Sequence, residues 1–338
     1  MFLIRAVETK DLQDLFFLSK SSGFGFTTLP SSIEHIEKKI NLSIKAFSDY
    51  IEDSVSNFYW LVLEDVRKSK VVGCSGICSS VGLNDVFYHY RITRESHHCA
   101  SLDVHSSVNV LSLCNDYTGS SELCSLFLLD EYRGMFLGKL LSKSRFLFLA
   151  NFPKLFGSKV IAELRGVSDD KGYSPFYSWL QDLFLHIDFS KADYLCGIGD
   201  KSFIAELMPR HPVFLDMLPK SAQEVIGEVH PDTRPALSML QKEGFLYNNY
   251  IDIFDAGPTV ECDISDINTV SSSKVLKVKI INNCKGKKVI ISNMNLQGFT
   301  SALVAAEIDE FGDCISLSKE NADLLKLTQN DDVRVAII

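Results

Sequence analysis

The apolar positions change period several times along the chain, and each change marks an element. Residues 2–7, FLIRAV, form a short apolar run that predicts a first strand. Leu12, Leu15 and Phe16 then recur at helical spacing, with Thr9 or Asp11 as candidate caps. A turn-rich loop, SSGFGFTTLP, follows with Gly23, Gly25 and Pro30. A second helix starts near Ser31 or Ser32, because Ile33, Ile36, Ile40 and Ile44 share one helical face. FYWLVLEDV and VVGCSGICSSVG, joined by RKSK, predict a hairpin. DVFYHYRITRESHHCASLDVHS reads as a strand and a loop, and LSLCND as a strand. ELCSLFLL is almost continuously apolar, as a strand buried on both faces should be. From Gly138 to Ala150 the period is helical, with Leu140, Leu141, Ser144, Leu147 and Phe148 inward. KVIAELRGV, residues 159–167, is a further strand.

Residues 168–230 carry weaker signals. SPFYSWLQDLF and KSAQEVIGEV predict helices, while SFIAEL fits helix or strand. TRPALSMLQKEGF is a helix with Thr233 as cap, Pro235 in the first turn and Gly244 as stop. LYNNYIDIFDAGPTVECDI is extended, and TVSSSK, residues 269–274, reads as a linker. VLKVKII and KKVIIS alternate apolar and basic residues as strands. The helical KENADLLKL and the closing strand DDVRVAII complete the chain. The division expected is an α+β domain over residues 1–265, with an insertion at about 168–230, and a small β-rich module over residues 270–338. That module is near the lower size limit for an independent core.

Composition narrows the class. The chain has 338 residues, 46% hydrophobic and 23% charged, as in folded soluble proteins. A net charge of -9 gives no general affinity for nucleic acid or acidic membrane, so an anionic ligand needs a local basic patch. Nine cysteines are scattered without a C-x-x-C pair, which argues for reduced thiols in a cytoplasm and against a zinc site. No run reaches the roughly 18 apolar residues of a membrane span, and the first residues lack a signal-peptide layout.

The local basic patch lies in LFLLDEYRGMFLGKLLSKSRF, residues 126–146. An apolar strand, a glycine turn and a helix follow one another. Backbone amides at a helix start form an anion cradle that the helix dipole reinforces. Arg133 and Lys139 add charge. Phe136 sits where a close backbone approach favours glycine, so its φ must be negative or its strain tolerated. An ordinary strand-turn-helix packing unit accounts for the same pattern if the segment is taken alone.

The succession of strand, two helices, hairpin, strand, glycine turn, helix, strand and a late helix ending in KEGF resembles the GNAT acyltransferase fold. In that family a strand runs into Y-R-G-x-G-x-G and a helix, here Tyr132 to Gly138. The longer motifs CNDYTGSSELC, VGLNDVFYHYR, LLSKSRFLF, FIAELMPRHP, EVIGEVHPDTRPA and NYIDIFDAGPT, with KVIAELRGV and GYSPF, resemble the arginine N-succinyltransferase family. The resemblance spans residues 3 to about 265. It implies a mixed sheet flanked by helices, and transfer of succinyl from succinyl-CoA to the α-amine of L-arginine in arginine catabolism. It places the acid/base role on His230 of the V-H-P motif and a succinyl-CoA contact on Leu126. It extends the cofactor segment to Phe127, Leu128, Arg133, Gly134, Met135, Phe136, Leu137 and Gly138. Members are expected to assemble into oligomers. No metal is implied.

Read from the residues, His230 precedes a helix capped by Asp232 or Thr233. A helix N-terminus pushes a histidine toward its neutral form, the state a base needs. A capping surface histidine fits the same position. His97 and His98 are adjacent, and solvated loop residues are the better reading. An arginine substrate calls for carboxylates to meet its guanidinium, and Asp85, Asp116, Glu122 and Glu163 are unranked candidates. The succinyl carboxylate likewise needs a donor, for which Arg91, Arg165 and Arg210 are available. Cys124 lies beside the cofactor strand, but it lacks an evident base, so direct attack by the amine is favoured over a covalent route. Alternative functions are a different acyl-CoA or amine such as ornithine, or a non-catalytic CoA-binding or assembly subunit.

Overall fold

The computed structural model describes residues 1–23, 28–29, 32–48, 56–169, 172–197, 202–282 and 284–337. Gly25 and Pro30 of the expected loop lie outside them. The chain is α+β. Its strands are β1 (Phe2–Ala6), β2 (Phe58–Asp65), β3 (Lys70–Cys78), β4 (His89–Cys99), β5 (Val104–Cys114), β6 (Ser121–Leu128), β7 (Lys159–Glu163), β8 (Val213–Phe214), β9 (Leu246–Ile251) and β10 (Pro258–Asp263). Five more follow: β11 (Lys274–Ile281), β12 (Lys287–Asn293), β13 (Thr300–Ile308), β14 (Cys314–Ser318) and β15 (Asp332–Ile337). Helices α1 (Leu12–Ser21), α2 (Ile33–Ser48) and α3 (Leu137–Asn151) flank the first strands. Helices α4 (Pro175–Leu180), α5 (Phe189–Gly197), α6 (Ser202–Leu207) and α7 (Lys220–Gln223) occupy the weakly patterned stretch. Helices α8 (Arg234–Lys242), α9 (Asn268–Ser272) and α10 (Lys319–Leu324) complete the chain.

The strand order from β13 is β13-β1-β2-β3-β6-β7-β10-β9-β4-β5-β8. Every neighbouring pair in this run is antiparallel except β6 and β7. These two pair through Ser121–Val160 and Glu122–Ile161, and their paired register ends there. The core strands β2 and β3 are buried along almost their whole length, as their continuous apolar runs require. On α2 the stripe turns Ile36 and Ile40 fully inward while Ile33 is exposed. Arg5 anchors β1 to the start of α1 by a two-pronged bond to Asp11, at 2.7 and 2.8 Å, and a third bond to Glu64 at 2.6 Å. Asp11 is therefore committed to Arg5 rather than to capping α1.

Residues 274–337 form a closed five-stranded ring, because β12 pairs with both β15 and β13. Leu276, Val289, Ile315 and Leu317 are among the residues that fill its core. The ring joins the main sheet through β13 and β1.

Several local expectations change. The expected linker at 269–274 is largely helix α9. Its Thr269 amide and hydroxyl both donate to Glu243, which also takes Lys143 at 2.7 Å. The helix expected over KSAQEVIGEV lasts one turn, and Gly227 at φ 75° follows it in a turn. SFIAEL is helical. His97 and His98 lie in a strand, in an eleven-residue hairpin arm of β4 and β5, where His98 stacks on His105 across the strands. The arm is mostly exposed toward its tip, so it shows no amphipathic alternation to read.

Candidate active site

Between the diverging ends of β6 and β7 lies a cavity of about 710 Å³. It exists because β6 keeps β3 on one edge but parts from β7 after Glu122, leaving its other edge open. A bulge deepens the break. Ser125 adopts φ 51°, and the register with β3 shifts there. Thr28 secures the bulge, accepting from the Ser125 hydroxyl and receiving the Ser125 amide, both at 3.1 Å.

The expected cofactor segment distributes around this cavity. Leu126, Phe127 and Leu128 form its wall, and Arg133, Gly134, Phe136 and Gly138 its mouth, with Lys139. Leu137 is instead buried in the core, and Met135 is exposed and outside the lining. Helix α3 begins without a side-chain cap, so its first amides have no partner within the helix or from a cap. Phe136 takes φ 64°, so the strain is tolerated and φ is not negative. Its ring is exposed, with the Lys139 ammonium 5.5 Å from its centre. Arg133 pairs with Asp130 at 2.9 Å near the surface.

The opposite end is charged. Glu122, Glu163, Arg165, Asp252 and Asp255 line it. Glu163 meets His89 at 2.9 Å, and His89 is fully buried between the edges of Phe87 and Tyr117. Asp255 is buried and receives the amides of Gly166 and Gly257 at 2.7 and 2.9 Å. Burial, with Asp252 beside it, pushes its carboxyl well above the usual range. These two glycines are required by contact: a Cβ on Gly257 would lie 2.0 Å from the Leu164 carbonyl oxygen. Asp255 thus fixes the loop that carries Arg165.

His230 sits beside this end. Its amide donates to the Arg165 carbonyl at 2.9 Å, and Asp232 and Thr233, just after it, line the cavity. The histidine is itself the cap of a short turn over residues 231–233: its Nδ1 accepts the Asp232 amide at 3.2 Å. The bond assigns the proton of the neutral ring to Nε2. Thr233, as expected, holds the N-cap position of α8, though its side chain makes no capping bond.

Other candidates lie elsewhere. Asp85 is in an exposed turn. Arg210 is exposed and bonds the Ala205 carbonyl. Arg91 and Asp116 line a separate groove of about 400 Å³ with Tyr117, Lys159, Asn248, Tyr250 and Glu261. Cys124 lines the main cavity, but burial pushes its thiol well above the usual range, so it is a poor nucleophile. Sequence reasoning passed over Arg145, which lines the cavity from α3. A charged residue inside the apolar SRFLFLA was the available signal. Among the described residues no group of three or more His, Cys, Asp or Glu is gathered for a metal, and no helix is long and apolar enough to cross a membrane.

Known proteins resemble this chain. Residues 2–269 match the family described as arginine N-succinyltransferase beta subunit. Proteins described as arginine N-succinyltransferase from Escherichia coli and Salmonella agona are 43% and 44% identical over 337 residues, covering 99% of this chain and 97% of theirs. Subunit AI of arginine/ornithine succinyltransferase from Pseudomonas aeruginosa superposes with a TM-score of 0.91 at 32% identity, covering 99% of this chain and 98% of that one. With a family match over most of its length and relatives of this identity end to end, the chain belongs to the arginine N-succinyltransferase family.

Proposed function

We propose that the protein transfers succinyl from succinyl-CoA to the α-amine of L-arginine by direct attack. The observation that carries this reading is one cavity lined both by an uncapped, basic helix start and by the carboxylates of Glu122 and Glu163. The layout is GNAT-like: a splayed parallel pair, a glycine turn and a helix in sequence. The α3 amides, with Arg133 and Lys139, bind the CoA pyrophosphate. The open edge of β6 from Leu126 to Leu128 holds the pantetheine arm by main-chain bonds. Glu122 and Glu163 receive the cationic amino acid. His89 supports Glu163 from behind, so that its carboxylate keeps one orientation.

The chemistry then follows. The α-amine must shed a proton to attack the thioester carbon. The new C–N bond forms, the C–S bond breaks, and the proton ends on the departing sulfur. As the acid/base residue, His230 gives its Nε2 proton to the departing sulfur and takes the amine's proton on the same nitrogen, while the Asp232 amide bonds Nδ1. The raised thiol of Cys124 supports direct attack over an acyl-cysteine. Nine cysteines without a disulfide support a cytoplasmic setting, and the subunit names of relatives support assembly into an oligomer.

The test is release of free CoA thiol with succinyl-CoA across arginine, ornithine and other amines. Arginine is expected to be the best acceptor. Ornithine is the nearest alternative, given the arginine/ornithine description of the Pseudomonas relative. His230→Ala should lower kcat by roughly 100-fold or more while leaving CoA binding intact; normal turnover would remove its role. The exposed ring of Phe136 favours a second reading, a CoA-binding subunit without turnover. Calorimetric CoA binding with no product from any amine would establish that reading instead.

A further inference from the structure

We propose that Arg145 receives the terminal carboxylate of the succinyl group and so sets the choice among acyl-CoA donors. The inference rests on the transferase reading above. Arg145 lines the cavity yet is only 2% exposed. Its Nη2 reaches the neutral Ser142 hydroxyl at 3.3 Å, and its buried Nε has no partner. Among the described residues no carboxylate pairs with it. The other deeply buried arginine, Arg5, is held by Asp11 and Glu64. A guanidinium taken out of water without an anion is a costly arrangement, and a ligand carboxylate relieves it in the geometry the planar fork favours.

Position selects the ligand group. Burial lowers the Arg145 guanidinium to about 10, so it stays charged near neutral pH. The titratable group that acts on it is Cys124, in the middle of β6. That is the region of the Ser125 bulge, where the thioester falls if pantetheine follows the open edge. The pyrophosphate cradle has its own cations in Arg133 and Lys139. Lys143, on the same helix as Arg145, is committed to Glu243 and Thr269. Arg165 bonds Ser168 at 2.9 Å. Lys39 also acts on Cys124, but it donates to the Thr28 carbonyl and is not in the cavity's lining, and Arg165 stands on the Asp255-fixed loop beside His230, so Arg145 is the cation assigned to the acyl position. An acyl chain ending in a methyl group would leave it buried and unpaired, which is discrimination by an unsatisfied charge.

The experiment compares kcat/KM for succinyl-CoA and butyryl-CoA in the wild type, Arg145→Met and Arg145→Lys, with arginine and agmatine as acceptors. Arg145→Met should lower kcat/KM for succinyl-CoA by roughly 10- to 100-fold. It should leave butyryl-CoA unchanged or improved, and Arg145→Lys should recover part of the loss. An unchanged succinyl-to-butyryl ratio in Arg145→Met overturns the proposal. So does a collapse of the arginine-to-agmatine ratio instead, since the guanidinium would then serve the acceptor's carboxylate. If Arg145→Met does not fold, Arg145→Gln carries the same comparison, and an unshifted donor ratio there is equally fatal. A wild type that releases no thiol from any donor removes the transferase reading itself. Normal wild-type turnover with an unmoved ratio removes only this inference.

Discussion

At the residue scale, the two ends of the glycine turn make opposite demands on the backbone. Phe136 occupies left-handed space, which costs a side-chain-bearing residue about 1–2 kcal/mol. Its ring recovers little, since it is exposed, with the Lys139 ammonium 5.5 Å from its centre. Phe136→Gly should therefore raise unfolding free energy by about 0.5–1 kcal/mol after the glycine's own entropy is counted, read by urea unfolding. Gly138 is different: its φ is not positive, and an added Cβ meets nothing within 4 Å. Gly138→Ala should stabilise α3 by about 0.5–1 kcal/mol but raise KM for the acyl-CoA, because the methyl group occupies the phosphate's approach. A stabilised variant with unchanged KM would move the pyrophosphate away from this turn.

At the element scale, one carboxylate ties four segments together. Glu261 on β10 accepts from Tyr117, which follows β5, from Lys159 on β7 and from Asn248 on β9. Burial pushes its carboxyl up, but the bonds from Lys159, Tyr117 and Asn248 outweigh burial and hold it below the usual range. A depressed folded value means stability that is present above the unfolded pKa of about 4.3 and lost as pH falls through the folded one. Glu261→Gln should thus be less stable at pH 7 and show a shallower loss of stability below about pH 4.3 in urea titrations at stepped pH. Parallel pH profiles for the two proteins would refute this. The groove this cluster lines is next to the main cavity through Tyr117 and His89, so the same ties steady Glu163.

At the scale of the whole molecule, the C-terminal ring is structurally continuous with the rest. β13 pairs with β1, and Ser144 on α3 meets Ser301 at 3.0 Å. Asn151 at the end of α3 bonds Asn293, and Arg334 bonds Asn151. Ile290, Phe299 and Ala336 belong to the same apolar core as β2 and α3. Ending the chain after Ser273 should therefore expose the α3 core and abolish cooperative unfolding, followed by circular dichroism and hydrogen exchange. A stable, active fragment would show that residues 274–338 are dispensable for folding.

The local pattern by itself determined most elements. Long runs such as residues 58–65 and 137–151 announce their period because each is buried in a consistent way. The glycine turn and its basic residues at the start of α3 were legible because glycine spacing and charge are local. The arginine pair of roles was not. Arg145 and Arg91 look alike along the chain, yet one is enclosed beside the bulge of β6 and the other stands at a separate groove beside Asp116. Likewise Glu163 gains its partner from a strand more than seventy residues earlier. The hairpin arm and the short turn after α7 bury too little to leave a period. Sequence alone determined the elements and the likeness to a family. Only the tertiary structure decided which charges share a cavity, because that depends on where β6 and β7 part, and no local pattern encodes a gap between strands.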